Sequence, residues 1–142
     1  MNYYLTVNGV VGDTTDAAHQ KAFDLGNYTF EISRNGAVVG GSPLSVSLYS
    51  PLSIPLLLAQ LKKNVKMTLT LAGRAPGASF DSLKIVFENA TLIDFNTSDT
   101  GDNGAVPNTS FTFVYDRVSY TFTPATAGGK AGTPVTTNIV FG

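Results

Sequence analysis

The chain has 142 residues, of which 43% are hydrophobic and only 13% are charged, and its formal net charge is -1 at pH 7. This length is enough for one domain with a real core, whereas the charge offers no basic stripe to meet the phosphates of a nucleic acid. The absence of cysteine excludes disulfides and thiolate metal sites. No apolar run approaches membrane-spanning length, and the opening residues are typical of a strand rather than of a cleavable signal peptide.

Alternating apolar residues predict short β-strands along most of the chain. Three dipeptides predict turns between them, namely Asn8-Gly9, Gly26-Asn27 and Asp116-Arg117, and the last of these is expected to close a hairpin. Near Asn89-Ala90 the alternation of the longest strand slips, which predicts a bulge or a bend. The predicted strands cover residues 3–7, 21–25, 28–33, 44–49, 66–72, 83–95, 111–115, 118–122 and 135–141.

One stretch, Ser50–Lys63, has helical rather than strand periodicity. Four apolar residues in it have the i, i+3, i+4, i+7 spacing of one helix face: Ile54, Leu57, Leu58 and Leu61. Ser50 or Ser53 can cap the start, and Asn64 is suited to a left-handed stop. A helix of about three turns is marginal alone. We therefore expect a short α-helix at about Ser53–Lys63 that docks on a sheet or across the open end of a barrel.

The segment Arg34–Pro43 (RNGAVVGGSP) is predicted to be a Gly-rich loop, long for a simple hairpin connection. Long loops inside compact domains are often functional. Its tip carries Val38 and Val39, which makes it too apolar for a purely solvated connection. The alternative is an ordinary loop with both valines folded back on their own barrel.

Together these elements predict a mainly β fold, a closed β-barrel of two packed antiparallel sheets with one short α-helix. Closure removes exposed sheet edges, which matters in a chain with few charges to protect them. No linker composition or internal repeat divides the sequence. Residues 1–142 are therefore expected to form a single domain.

His19 is the only histidine and the first candidate for chemistry. Three aspartates lie near it in sequence: Asp13, Asp16 and Asp24. A zinc site would need a second nitrogen or sulfur ligand, which the chain does not offer. A surface or hydrogen-bonding histidine is the simpler expectation.

Other candidate motifs fail on spacing. The serines lack a nucleophile elbow, and the glycines lack the spacing of a phosphate-binding loop. Asp94, Asp99 and Asp102 could bind calcium in a loop, but they lack the EF-hand pattern, and turn chemistry is the better interpretation. We expect no catalytic residue, cofactor or metal.

Five residues early in the chain have a recognisable spacing: Gly12, Asp13, Thr14, Asp16 and His19. They resemble the Gly-Glu-Ser/Thr-x-Asp-x-x-His run after the first strand of the haemolysin-coregulated protein (Hcp) family, with Asp13 in place of the usual glutamate. Members of that family are the tube subunits of the bacterial type VI secretion system. The resemblance continues in order through the Gly-rich loop, the helix, the long strand, the Phe111–Pro124 segment and the last strand. The chain has no tryptophan, which many members carry early, and Tyr28 is expected in its place.

The resemblance implies a structural protein that forms hexameric rings, which stack into a tube inside a contractile sheath. The tube is expelled with a spike and carries small effectors in its lumen. It would assemble in the bacterial cytoplasm and leave without a cleavable signal peptide, with no catalysis, nucleic acid or membrane insertion. In the family the matching Gly-rich loop contacts adjacent subunits or rings, so the resemblance places the subunit or ring interface at Arg34, Asn35, Val38 and Val39.

Two alternatives stay open at this point, because a fold does not fix a function. The first is a tail-tube-like subunit of a phage-derived contractile injection particle. The second is a monomeric carbohydrate-binding β-module, which would expose aromatic side chains on one face.

Overall fold

In a computed structural model of the protein, residues 1–98 and 108–141 are described, and within these ranges the chain forms ten strands and one α-helix. The strands are β1 (Asn2–Val7), β2 (Phe23–Thr29), β3 (Ile32–Asn35), β4 (Val38–Gly41), β5 (Leu44–Leu48), β6 (Met67–Arg74), β7 (Leu83–Ser98), β8 (Asn108–Val114), β9 (Arg117–Phe122) and β10 (Val135–Val140). The helix α1 spans Ser53–Lys63.

The main sheet closes on itself. Its strands follow the order β10-β9-β7-β6-β1-β2-β5-β8, and β8 pairs back onto β7. The closed part is a barrel of six strands, with β9 and β10 as an extension beyond β7 and with β3 and β4 as a separate two-stranded sheet. The predicted mainly β barrel with one short helix is therefore confirmed.

The inward-facing residues of the strands form one apolar core. On β6, Met67, Leu69 and Leu71 are buried while the residues between them are half-buried, as a period of two requires when one face meets the core. Phe87 lies at the centre of an aromatic group, with its ring edge-on to Phe30 at 5.2 Å and to Tyr115 at 4.9 Å. Such edge-to-face contacts add to the burial of the rings.

The helix α1 crosses one end of the barrel. The strand that precedes it, β5, and the strand that follows it, β6, lie on opposite sides of the closed sheet, so their connection must span the opening. Leu57 is fully buried in the core, and Leu56 and Leu61 pack against it. Ile54 and Leu58, by contrast, are half-buried and lie outside the core cluster.

The predicted stripe is therefore partly wrong. The inward row of α1 is Ser53, Leu57 and Leu61, which are spaced by four residues, because the helix is rolled so that the fully buried Ser53 faces the barrel. The Ser53 hydroxyl donates to the Ser50 carbonyl at 2.6 Å, which satisfies it in that position. Ile54 and Leu58 are only half-buried as a consequence.

The predicted left-handed stop of α1 at Asn64 is confirmed, whereas the N-cap is neither Ser50 nor Ser53. The Ser50 side chain accepts the Ser53 N–H at 3.3 Å, although the N-cap position itself is Leu52 and has no side-chain cap. At the other end Asn64 is left-handed, with φ 53°, and its N–H donates to the Gln60 carbonyl at 3.0 Å. A left-handed residue at this position is a common way to end a helix.

The turn predicted at Gly26-Asn27 is wrong, whereas the turn at Asn8-Gly9 is confirmed. At the latter, the Val10 N–H donates to the Val7 carbonyl at 3.0 Å and Gly9 has φ +85°. Strand β2 instead continues through Gly26 with a bulge in its pairing with β5. A Cβ at Gly26 would lie 2.7 Å from the Tyr49 ring, so the glycine provides room for that ring.

The hairpin predicted around Asp116-Arg117 is also wrong. Strands β8 and β9 run in the same direction along one edge of β7, where Val114 is paired with Thr91 and Arg117 with Glu88. The long strand β7 therefore pairs with both of them, and the chain does not reverse between them. The expected bulge is confirmed, because the register of β6 against β7 shifts at Asn89, which has φ +52°.

Within the described ranges, no helix is long and apolar enough to cross a membrane. Of the aspartates weighed above as calcium ligands, Asp99 and Asp102 lie outside the described residues.

Candidate subunit interface

The predicted loop Arg34–Pro43 is a β-hairpin, so the prediction of its form is wrong. Strands β3 and β4 pair from Asn35–Val38 to Ile32–Gly41 across a turn at Gly36. Gly36 has φ +65°, a conformation that glycine adopts at little cost and that suits a tight hairpin turn. The segment thus has its own backbone hydrogen bonds rather than the irregular path of a long loop.

The hairpin projects its tip away from the core. Val38 is 68% exposed, whereas Val39 is half-buried, as expected of neighbours on opposite faces of a strand. Arg34 and Asn35 are both exposed, and an Arg34 guanidinium N–H points at the Gly36 carbonyl at 3.4 Å. The four predicted interface residues therefore lie together at the end of the hairpin, with Val38 as their most exposed apolar member.

The base of the hairpin is fixed to the barrel. The Ser42 N–H donates to the Glu31 carbonyl, and the Ser42 hydroxyl accepts the Glu31 N–H, both at 2.7 Å. The Tyr115 hydroxyl donates to the Ser42 carbonyl at 2.9 Å, and burial raises the pKa of Tyr115. A Cβ at Gly41 would lie 2.8 Å from the Phe141 ring. A free tip on an anchored base is a suitable arrangement for contact with a partner.

A second apolar surface lies on β9 and β10, and we call Tyr120, Phe122 and Val135 the apolar strip. Tyr120 and Phe122 are paired with Ile85 and Leu83 of β7, so their side chains point to the same side of the sheet as the barrel core. They are nevertheless 45% and 48% exposed. The reason is topological: β8 closes the barrel onto β5, whereas β9 pairs with β10 and carries the inward face beyond the barrel.

The opposite face of this extension is polar. Arg117 and Glu88 form an ion pair at 3.0 Å, and cross-strand hydrogen bonds join side chains of β9 to those of β10 at 2.6 and 2.8 Å. The outer edge of β10 has no partner strand among the described residues, and the sequence of β10, VTTNIV, carries no charge. An uncharged, unpaired edge is open to pairing with another chain.

A groove lies between the hairpin and the end of β10, on the face of β10 opposite to the apolar strip. Ala37, Val38, Val39 and Val140 line a depression of about 380 Å³. Val140 is exposed, like Val38. The hairpin tip and the end of β10 thus form one continuous apolar region on the outside of the molecule.

The motif residues predicted from the N-terminal segment form a different cluster. His19 donates or accepts at both ring nitrogens, with Nδ1 2.7 Å from Asp16 and Nε2 2.8 Å from Asp81. Its ring stacks on Tyr4 at 4.0 Å, and Arg74 donates to the same Asp81 oxygen at 2.9 Å. We call Tyr4, Asp16, His19, Arg74 and Asp81 the His19 cluster.

The electrostatics of the cluster favour ionised Asp16. Hydrogen bonds from His19, Tyr4 and the Ala18 N–H lower the pKa of Asp16 to about 2. The same hydrogen bond to Asp16, with burial, raises the pKa of Tyr4. Because both ring nitrogens of His19 are already engaged and its side chain is 8% exposed, the ring has no free nitrogen to offer a substrate. In the described part of the chain no cluster of histidine and acidic side chains is arranged to hold a metal ion.

The structure separates the predicted residues into these two places. The hydrogen-bonding role expected for His19 is confirmed, and Asp16 caps the short helical turn Ala17–His19 by accepting the Ala18 N–H. Gly12 is packed so closely that a Cβ would lie 2.2 Å from the Ala22 carbonyl oxygen, whereas Asp13 is exposed. Sequence reasoning missed Asp81 entirely, since nothing near it in the chain indicates a histidine partner.

Comparison with known proteins gives a consistent result. The sequence model of the family described as "Type VI secretion system effector, Hcp" matches residues 4–122. No curated protein matches the chain.

Several solved structures share the fold. Hcp1 from Salmonella typhimurium is 16% identical, with a TM-score of 0.84 over 99% of this chain and 94% of that one. A type VI secretion system effector from Yersinia pestis is 12% identical, with a TM-score of 0.80 over 97% and 98% of the two chains. The secreted protein Hcp3 from Pseudomonas aeruginosa is 15% identical, with a TM-score of 0.72 over 98% and 99%.

Proposed function

This chain belongs to the Hcp family of type VI secretion system proteins, and on that premise we propose that its copies close into hexameric rings that stack into the inner tube of the secretion machine. The family and the fold support a tube subunit, and the family is a structural one. We further propose that residues 1–142 act as one domain without catalytic activity.

The observation that supports this proposal is the presence of two separate, exposed apolar surfaces on one closed barrel. A ring requires two different patches on each subunit, because each copy meets its two neighbours through different surfaces. The hairpin tip together with Val140 is suitable for one role, and the apolar strip on the opposite face of β10 is suitable for the other. A chain with 13% charged residues also has little charge to keep such surfaces apart.

Within this proposal the hairpin residues Arg34, Asn35, Val38 and Val39 contact an adjacent subunit or ring. Val38 supplies apolar area, and the exposed Arg34 guanidinium has further N–H donors, beyond the one at the Gly36 carbonyl, for a carboxylate or carbonyl across the contact. The anchored base of the hairpin lowers the entropic cost of ordering the tip on binding, which favours contact.

The other proposed partners are components of the secretion machine. We propose that the stacked rings meet the sheath along their outside and the spike at one end, and that the lumen holds small effectors. The subunit would assemble in the bacterial cytoplasm and be secreted without a cleavable signal peptide, with no role for nucleic acid, membrane insertion or a cofactor.

Size-exclusion chromatography with multi-angle light scattering tests the proposal. The expected mass is six times the 14.9 kDa chain, and negative-stain micrographs should show rings. A monomer at micromolar concentration would refute ring formation and would leave a monomeric binding module as the alternative. Binding of a glycan array by that monomer would then identify the carbohydrate-binding function.

A further inference from the structure

The segment 11–22, which we call the strap, leaves the barrel after β1 and lies across its outer wall. Its two arms pair with each other, since the Gly12 N–H donates to the Lys21 carbonyl at 2.9 Å and the Thr14 N–H donates to the Ala22 carbonyl at 3.0 Å. Only Ala22 in the strap is buried. Segments with few buried apolar contacts open at low cost, so the polar contacts of the strap determine how firmly it is held.

Those contacts converge on His19. Its ring stacks on Tyr4 of β1 and reaches Asp81, in the turn before β7, across a separation of 62 residues. Thr14 adds one further bond from the strap to the wall, by donating its hydroxyl hydrogen to Asp24 of β2 at 2.7 Å. His19 is thus the residue that joins the strap to the far side of β1.

The two contacts of the His19 ring require a hydrogen on each ring nitrogen. Asp16 and Asp81, when ionised, can only accept hydrogen bonds, so both ring nitrogens of His19 must carry a hydrogen for both contacts to be bonds. The imidazolium ring has two N–H donors, whereas the neutral ring has one donor and one lone pair. In the neutral ring, one nitrogen has a lone pair that faces a carboxylate oxygen of Asp16 or Asp81. That contact, at 2.7 or 2.8 Å, is then repulsive rather than a hydrogen bond.

We propose that the His19 cluster is a proton-operated latch: the imidazolium form ties the strap to the barrel through Asp16 and Asp81, and loss of one ring proton to solvent releases the strap. This device is independent of the proposed assembly into rings. An unperturbed histidine changes its charge between about pH 5 and about pH 8, so this is the range in which the latch is tested.

The charged and titratable groups around the His19 ring support the inference that one ring proton controls whether the strap is held. Asp16 faces it from the strap itself, Asp81 from the turn before β7, and Arg74 from β6, where its guanidinium keeps Asp81 in place as an acceptor. Tyr4 of β1 stays neutral through this range, because its pKa is raised. Asp24 of β2 is paired with Tyr4 and accepts the Thr14 hydroxyl hydrogen.

Amide hydrogen exchange measured by NMR tests the latch. The protection factors of the Gly12, Thr14 and Ala22 amides, each corrected for the intrinsic pH dependence of exchange, are compared between about pH 5 and about pH 8. A charge-assisted bond is involved, so protection in the strap should fall about tenfold or more as the pH rises. Amides of β6, such as Leu71, should keep their protection and serve as the internal control.

Two variants make the test specific. His19→Gln cannot titrate in this range, so its strap should show the same protection at both pH values. Asp16→Asn should reverse the sign, because its amide oxygen can still accept the Ala18 N–H while its amide N–H donates to the lone pair of a neutral ring. In that variant the strap should be better protected at the higher pH.

Several results would overturn the latch. One is wild-type strap protection that does not change with pH. Another is the same change in His19→Gln, which would assign it to a different group. If either variant proves unfolded by circular dichroism, the ¹⁵N shifts of the wild-type His19 ring decide: a neutral ring at the lower pH, with the strap protected, refutes the mechanism.

Discussion

The most informative single change for the proposed assembly is Val38→Asp at the tip of the hairpin. Val38 is 68% exposed in the isolated chain, so the substitution removes almost no packing within the subunit. A fully buried valine contributes about 1.5–3 kcal/mol, and roughly two thirds of its surface remains to be covered by a partner. The lost contribution is then about 1–2 kcal/mol for each contact, which corresponds to about a five- to thirtyfold weaker association at each interface.

An aspartate adds to that loss. If the tip is covered by a neighbour, the carboxylate must be removed from water without a dedicated partner, which is costly. Because a closed ring repeats the same contact around its circumference, the loss recurs at every interface. We therefore expect Val38→Asp rings to dissociate at protein concentrations where the wild-type rings persist.

The assay is light scattering over a dilution series, with circular dichroism to show that the fold is retained. Val11→Asp is the matched control, because Val11 is also a valine, 60% exposed, and lies on a different segment of the surface. The control should keep the wild-type mass. If Val38→Asp keeps the wild-type mass through the same dilutions, and its rings stack as before in micrographs, the hairpin is not an assembly element.

Five further substitutions test the fold and the His19 cluster. Leu57→Asp should abolish the native circular dichroism, because it places a charge in a fully buried position. Leu58→Asp should fold, because Leu58 is half-buried outside the core cluster. A folded Leu57→Asp protein would contradict the position of α1. Thr91→Val should raise the free energy of unfolding by about 1 kcal/mol, since the Thr91 hydroxyl is buried and has no hydrogen-bond partner among the described residues. A loss of stability in urea titrations would show that the hydroxyl is bonded. The pKa of Asp16 is lowered from 3.8 to about 2 on folding, so its contribution to stability is present above the unfolded pKa and is lost as the pH falls toward about 2. Asp16→Asn should therefore flatten the dependence of the free energy of unfolding on pH in that window. An unchanged dependence would contradict the lowered pKa of Asp16. Gly12→Ala should lower the melting temperature, because a Cβ there would lie 2.2 Å from a backbone oxygen; an unchanged melting temperature would show that the strap shifts freely.

Local patterns in the sequence determined much of the architecture. Alternation on a period of two is sufficient to identify a strand and its inward side chains, as on β6, because one face of a pleated strand must meet the core. The left-handed stop at Asn64 and the bulge at Asn89 also follow from residues close in sequence. The confirmed closed barrel, the helix and the hydrogen-bonded His19 all rest on such short-range signals.

Only the tertiary structure decided which segments meet. The residues Phe111–Phe122 have the pattern of a hairpin, yet β8 and β9 both pair with the long strand β7 and the chain does not reverse between them. The burial of Ser53 on the inward row of α1 likewise does not follow from the apolar periodicity of the helix. His19 is bonded to Asp81, which lies 62 residues away in the sequence. The apolar strip is exposed because β9 and β10 extend the sheet beyond the closed barrel. Periodicity reports which way a side chain points along its own segment, but the partner at the other end is chosen by the closure of the sheet, which brings distant segments of the chain together.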